Sequence, residues 1–204
     1  MVTRKNKSGD DVVISGISGR FPLSNNTDEL ARNLYDGVDM ITCDDTRWPR
    51  DTYGMESSFG KIHDFGQFDS TFFGLPKQFT EMIDPQGRML LEVVYEAIVD
   101  AGVNPQDLRG SKTGVYVGVS LYPNLDGNAD EIQPDLVHTI HKASMQTLAN
   151  TKSIYASRIS FVFDFKGPSL IVDTACSASM TATTLAMNDL RLGPFKTGAL
   201  IALI

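Results

Sequence analysis

The chain has 204 residues, 42% hydrophobic and 21% charged, with a net charge of -7. That balance excludes a disordered or collagen-like polypeptide, and the length suffices for one sizeable core or part of a larger one. The acidic balance argues against phosphate-driven binding of nucleic acid, and the two cysteines, Cys43 and Cys176, are too few and too far apart for a disulfide framework or a metal site.

Residues 1–10 read as a polar leader, a solvated tail with the basic cluster Arg4, Lys5 and Lys7 and without the apolar run of a secretory signal. The β-branched stretch from Asp11 to Ile17 predicts a strand, and Ser18 to Pro22 a turn. Asn26 and Thr27 predict a helix start, with Leu30 and Leu34 on one face and a stop near Gly37. Residues 38–80 are loop-rich, with aromatics and glycines that suit packing over a core. A helix is expected after Asp84-Pro85, with Met89, Leu90, Val93, Val94, Ala97 and Ile98 in one stripe and Gly102 ending it. Thr113 to Ser120 predicts a strand, 121–134 a polar loop and 135–150 a weakly amphipathic helix. A further helix is expected from Ser153 to Phe163, ending at Lys166-Gly167-Pro168. Ser169 to Val172 then reads as a short strand, Asp173 to Cys176 as a turn, and Ser177 to Leu192 as a helix of small residues stopped by Gly193-Pro194. Gly198 to Ile204 is a last strand, far too short to span a membrane. Alternating strands and helices give an α/β class, and cytosolic, reduced thiols are expected.

The chemistry concentrates at Cys176. A cysteine between a buried strand and a helix start meets free backbone amides and a partial positive charge, which stabilise a thiolate. The same amides can receive an oxyanion on a thioester carbonyl, and a tightly packed small-residue helix fixes the sulfur in place. The pattern alone also fits an inert, buried cysteine. It marks no base: His63, His138 and His141 sit in no catalytic context, and His138 with His141 lacks a third metal ligand.

Ordered motifs then add a family. Asp173 to Ser179 (DTACSAS), preceded by Lys166 to Ser169, resembles the nucleophile motif of β-ketoacyl synthases. Val12 to Pro22, Val38 to Thr42, Asp44 to Trp48, Gly60-Lys61 through Phe68 to Gly74, Ile83 through Glu96 to Gly102, and Thr113 to Ser120 agree in the same order. The segments at 38–74 have the flavour of animal fatty acid synthases. The resemblance implies an N-terminal half of a thiolase-like α/β fold, with 11–204 an incomplete ketosynthase subdomain. It implies Cys176 as the acyl-accepting nucleophile, its backbone N–H contributing to the oxyanion hole. The implied reaction is decarboxylative condensation of the acyl-cysteine with a malonyl thioester. Substrates would arrive as phosphopantetheine thioesters on acyl carrier protein, with no directly bound cofactor and no metal. A homodimer, a cytoplasmic location and no nucleic-acid or membrane partner are implied as well. A polyketide synthase ketosynthase is the alternative in the same fold, and a non-catalytic ketosynthase-like partner protein the alternative in another class.

Three departures qualify the resemblance. The family's two catalytic histidines and its later glycine-rich loop lie beyond the nucleophile helix, so no residue here takes those roles. Residues 121–152 match poorly, and Ser157 stands where the family commonly has Asn before Arg158. The tail from Leu192 to Ile204 lacks the usual glycine pair. Half of a two-half core is expected to leave apolar faces uncovered, making the isolated chain poorly soluble.

Overall fold

Caps and glycines place the helices where their chemistry allows. The computed structural model describes residues 11–46, 49, 58–120, 144, 145, 149–192 and 198–203. Helix α1 (Thr27–Tyr35) starts where the Asn26 side chain accepts from Glu29 N at 2.8 Å. The chain leaves it through Gly37 at φ 66°, a left-handed conformation that costs glycine little. Strands β1 (Ile41–Cys43) and β2 (Ser58–Gly60) form an antiparallel pair, and α2 (Lys77–Thr80) is one short turn. Helix α3 (Pro85–Asp100) is capped by Asp84, which accepts from Gly87 N at 2.7 Å, with proline at its first position. A 3₁₀ turn (Pro105–Leu108) leads to β3 (Gly114–Gly118), then α4 (Lys152–Phe163), β4 (Ser169–Val172), α5 (Ala178–Leu192) and β5 (Ala199–Leu203).

β3, β4 and β5 make a parallel sheet in the order β4-β3-β5. Val117 of β3 pairs with Ile171 on one side and Ala202 on the other. All five residues of β3 are buried, as a central parallel strand covered on both faces requires. On one face Val115 and Val117 pack with Leu90, Leu91, Val94 and Ile98 of α3 and Tyr155, Ala156 and Ile159 of α4. On the other, Tyr116 and Val172 meet Ala182 and Ala186 of α5. The result is three layers, α3 and α4 over the sheet and α5 beneath it. Tyr155 Oη donates to Asp84 at 2.5 Å, joining α4 to the cap of α3. Burial and that carboxylate both push the Tyr155 hydroxyl well above the ordinary phenol range.

Most expected elements form within a residue or two of their sequence positions. The strand expected from Asp11 to Ile17 does not. Val13 and Ile14 are 76% and 84% exposed, and the segment runs as irregular chain beside α3. Ile17 N donates to Asp100 Oδ2 at 2.8 Å, and a Cβ on Gly16 would fall 2.2 Å from Ala97 O. β-branched residues favour strands only when a ladder is at hand; β3 already has both neighbours, and α3 takes this segment instead. Of the expected loop-rich stretch 38–80, the described residues Phe68, Phe73, Leu75 and Phe79 do pack over the core. The stretch also carries β1, β2 and α2, which sequence periodicity did not signal because each is only three or four residues long. The polar loop at 121–134 lies outside the described residues. So does most of the helix expected at 135–150, where residues 144, 145, 149 and 150 are helical. α4 ends at Asp164, left-handed at φ 58°, rather than at Lys166-Gly167-Pro168.

Candidate active site

In open α/β sheets the carboxyl ends of parallel strands are where ligands meet the chain. Cys176 lies there, just past the end of β4. Ala175 before it adopts φ 52°, a left-handed conformation that costs a non-glycine residue about 1 kcal/mol or more. Hydrogen bonds hold this turn. Ser177 Oγ donates to Thr174 O at 2.8 Å, and Ala178 N to Ala175 O at 3.0 Å. Thr174 Oγ1 and Thr181 Oγ1 lie 3.1 Å apart. Thr181 N donates to Ser177 O at 3.0 Å, the first helical bond of α5, so Cys176 stands immediately before the helix cap. The thiol is exposed, at the helix end where amides lack intrahelical partners and the dipole is positive.

The small residues behind the turn have a structural purpose. Ala178, Ala182 and Ala186 are at most 4% exposed and bring α5 against the sheet. At the end of β3, a Cβ on Gly118 would sit 3.0 Å from the Ala178 carbonyl and Ser179 N, so glycine there lets the first turn of α5 rest on the strand. At the other end of the helix, Tyr116 Oη donates to Asp189 Oδ2 at 2.5 Å. α5 is therefore fixed to β3 at both ends.

The acidic residue of the turn is engaged from another element. Lys152 Nζ, at the start of α4, lies 2.7 Å from Asp173 Oδ2. The lysine hydrogen bond, aided by the Ala175 amide, holds the Asp173 carboxyl below the usual carboxylate range. Sequence inspection did not single out Lys152, since a lysine at a helix start looks like an ordinary surface charge.

Cys43 is exposed at the end of β1, and neither cysteine forms a disulfide. His63 lines a small polar hollow with Arg20, Asp64 and Glu92, remote in sequence from the Cys176 turn. His138 and His141 lie outside the described residues. Among the described residues no three side chains form a metal-binding cluster, and no helix is long and apolar enough to cross a membrane. A cavity of about 940 Å³ is lined by Phe73, Arg109, Ser157, Phe161, Lys166 and Ser169, among others. It opens at the amino end of β4 and does not include Cys176.

Residues 9–197 match the family described as Beta-ketoacyl synthase, N-terminal domain. The chain belongs to the β-ketoacyl synthase family. Its fold is accordingly the α/β, thiolase-like N-terminal domain of a ketosynthase. This ketosynthase domain is 44% identical over 184 residues to a fatty acid synthase of the goose Anser anser anser, covering 90% of the chain and 50% of that sequence. It is 36% identical over 197 residues to probable polyketide synthase 1 of Dictyostelium discoideum, covering 93% of the chain and 6% of that protein. Among solved structures it resembles the ketosynthase from module 6 of the bacillaene synthase of Bacillus subtilis 168, with a TM-score of 0.68 and 34% identity over 86% of this chain and 28% of that one. The oxazolomycin ketosynthase domain of Streptomyces albus JA3453 gives a TM-score of 0.70 and 30% identity, over 89% of this chain and 33% of that one. The ketosynthase domain thus spans half or less of the relatives it matches. Polyketide synthases match as much of it as the fatty acid synthase does, so the animal fatty acid flavour of 38–74 narrows to a likeness shared by both kinds of ketosynthase.

Proposed function

We propose that this chain supplies the nucleophile of a β-ketoacyl synthase, with Cys176 as the acyl-accepting residue. The observation that carries the proposal is the placement of an exposed cysteine on a strained turn, ahead of a helix start and at the carboxyl edge of a parallel sheet. The Cys176 thiolate attacks the carbonyl of an acyl thioester, forms a new C–S bond and releases the carrier thiol. A malonyl thioester then loses carbon dioxide, and its carbanion attacks the acyl carbon and expels Cys176. Dividing the reaction in this way replaces one hard step by two easier ones. The Cys176 amide and the start of α5 would stabilise the oxyanion of each addition.

Substrates would be phosphopantetheine thioesters on an acyl carrier protein, in a cytoplasmic homodimer in which residues 11–204 form one N-terminal subdomain. Polyketide chain extension is the better supported chemistry, because the relatives and solved ketosynthases of 30–36% identity described above are polyketide enzymes. Fatty acid elongation is the second reading, favoured by the 44% identity to the goose enzyme. Incubating the full-length protein with acyl thioesters and locating the adduct by peptide mass spectrometry tests the assignment. Acylation is expected at Cys176 and absent in Cys176→Ser. Acyl transfer that persists in that variant, or resides on Cys43, overturns it. Comparing single with repeated extension on a supplied malonyl thioester distinguishes the two product classes.

A further inference from the structure

Lys152 is the first residue of α4, where a cation opposes the helix dipole. A lysine gains nothing from the helix at that position, and its reason lies across the gap to the nucleophile turn. Its side chain is 14% exposed, and Nζ sits 2.7 Å from Asp173 Oδ2. Asp173 opens the turn whose third residue, Ala175, is left-handed at φ 52° and immediately precedes Cys176. A residue of one helix therefore clamps the acidic group of the turn that presents the cysteine.

We propose that Lys152 is a positioning residue for Cys176. It neutralises the Asp173 carboxylate, which would otherwise oppose a thiolate close by, and ties the start of the turn to α4. The proposal rests on the assignment of Cys176 as nucleophile. Three residues of chain can separate Asp173 from Cys176 by at most about 11 Å. At that range, in a partly exposed site, an uncompensated carboxylate disfavours a thiolate by roughly threefold to tenfold.

Among the described residues, the other charges on the packed elements are paired or placed elsewhere. Arg158 of α4 is buried and donates to Ala149 O. Asp189 accepts from Tyr116 of β3 at the far end of α5, where Arg191 also lies. Asp164 pairs with Lys166 before the amino end of β4, and neither β4 nor β5 contains a titratable residue.

The test is the rate at which iodoacetamide alkylates Cys176 across neutral to alkaline pH, read by peptide mass spectrometry so that Cys43 is counted separately. Lys152→Met is expected to move the rise in rate to higher pH and to slow alkylation at neutral pH about threefold to tenfold. Lys152→Arg is expected to keep the native profile. Asp173→Asn is expected to act in the opposite sense and speed alkylation, since it leaves Lys152 uncompensated. The double variant Lys152→Met with Asp173→Asn is expected to return towards the native profile. A merely structural role would impair both single variants alike and gain nothing from their combination. That pattern, or an unchanged profile in Lys152→Met, overturns the proposal. Alkylation reads the free thiol in unacylated protein and does not depend on Cys176 being the acyl acceptor, so failure of the nucleophile assignment shows separately, as acyl transfer that does not require Cys176.

Discussion

At the scale of single residues, the turn from Asp173 to Ser177 stores strain next to the Cys176 thiol. Alanine tolerates the left-handed φ of 52° at position 175, whereas a β-branched side chain does so poorly. Ala175→Val is expected to destabilise the protein by about 1–3 kcal/mol and to lower Cys176 acylation more than stability alone explains. Thermal denaturation and acylation rate, measured side by side, check both parts. The position of Cys176 between a short strand and a helix of small residues was legible in the sequence and is found as expected, whereas the local pattern alone left its role open and the resemblance of Asp173 to Ser179 carried the expectation. The groups that shape its surroundings were not legible. Lys152 lies far from Cys176 along the chain, and the left-handed conformation of Ala175 has no glycine or asparagine to announce it.

At the scale of elements, sequence succeeded where an end has its own chemistry. Asn26 and Asp84 cap α1 and α3 as their side chains predict, and the alanine spacing of α5 corresponds to the face that packs on Tyr116 and Val172. It failed where an element depends on a distant neighbour. The Val12 to Ile17 segment has strand composition, yet it is tied to α3 by Ile17, Gly16 and the adjoining turn. In that turn Arg20 makes a two-pronged ion pair with Glu96, its Nη1 at 2.7 Å, while Ser18 Oγ donates to the same carboxylate at 2.6 Å. The Arg20 hydrogen bonds, followed by that from Ser18, hold Glu96 below the usual carboxylate range, against the opposing effect of burial. A depressed carboxylate contributes stability above its unfolded value of about 4.3, and that contribution disappears as pH falls through the lower folded value. The Glu96 side chain is 41% exposed, so screening limits its share to roughly 1 kcal/mol or less. Arg20→Ala is expected to flatten this part of the acid limb, and urea melts at neutral and mildly acidic pH measure it.

At the scale of the whole molecule, the described residues leave several large apolar side chains at the surface. Val13, Ile14, Phe161 and Met180 are each more than two-thirds exposed, and β4 forms one edge of the sheet with Leu170 uncovered. Exposed strand edges and apolar patches favour association. The 204-residue polypeptide expressed alone is therefore expected to elute in size-exclusion chromatography with a size that grows with concentration, and a monodisperse monomer would contradict this. The parallel sheet has another consequence, one for the order of events during synthesis. β3 takes β5 as its second neighbour through pairs such as Val115 with Leu200, although the two strands stand at well-separated places in the chain. Translation at about 5–20 residues per second leaves β3 waiting for seconds with one side unpaired. Such long-range parallel pairing is slow to form and exposed to aggregation meanwhile. The nascent chain therefore carries the Cys176 turn out of the ribosome before the sheet that braces it is complete, and holdase chaperones are expected to matter most in that interval.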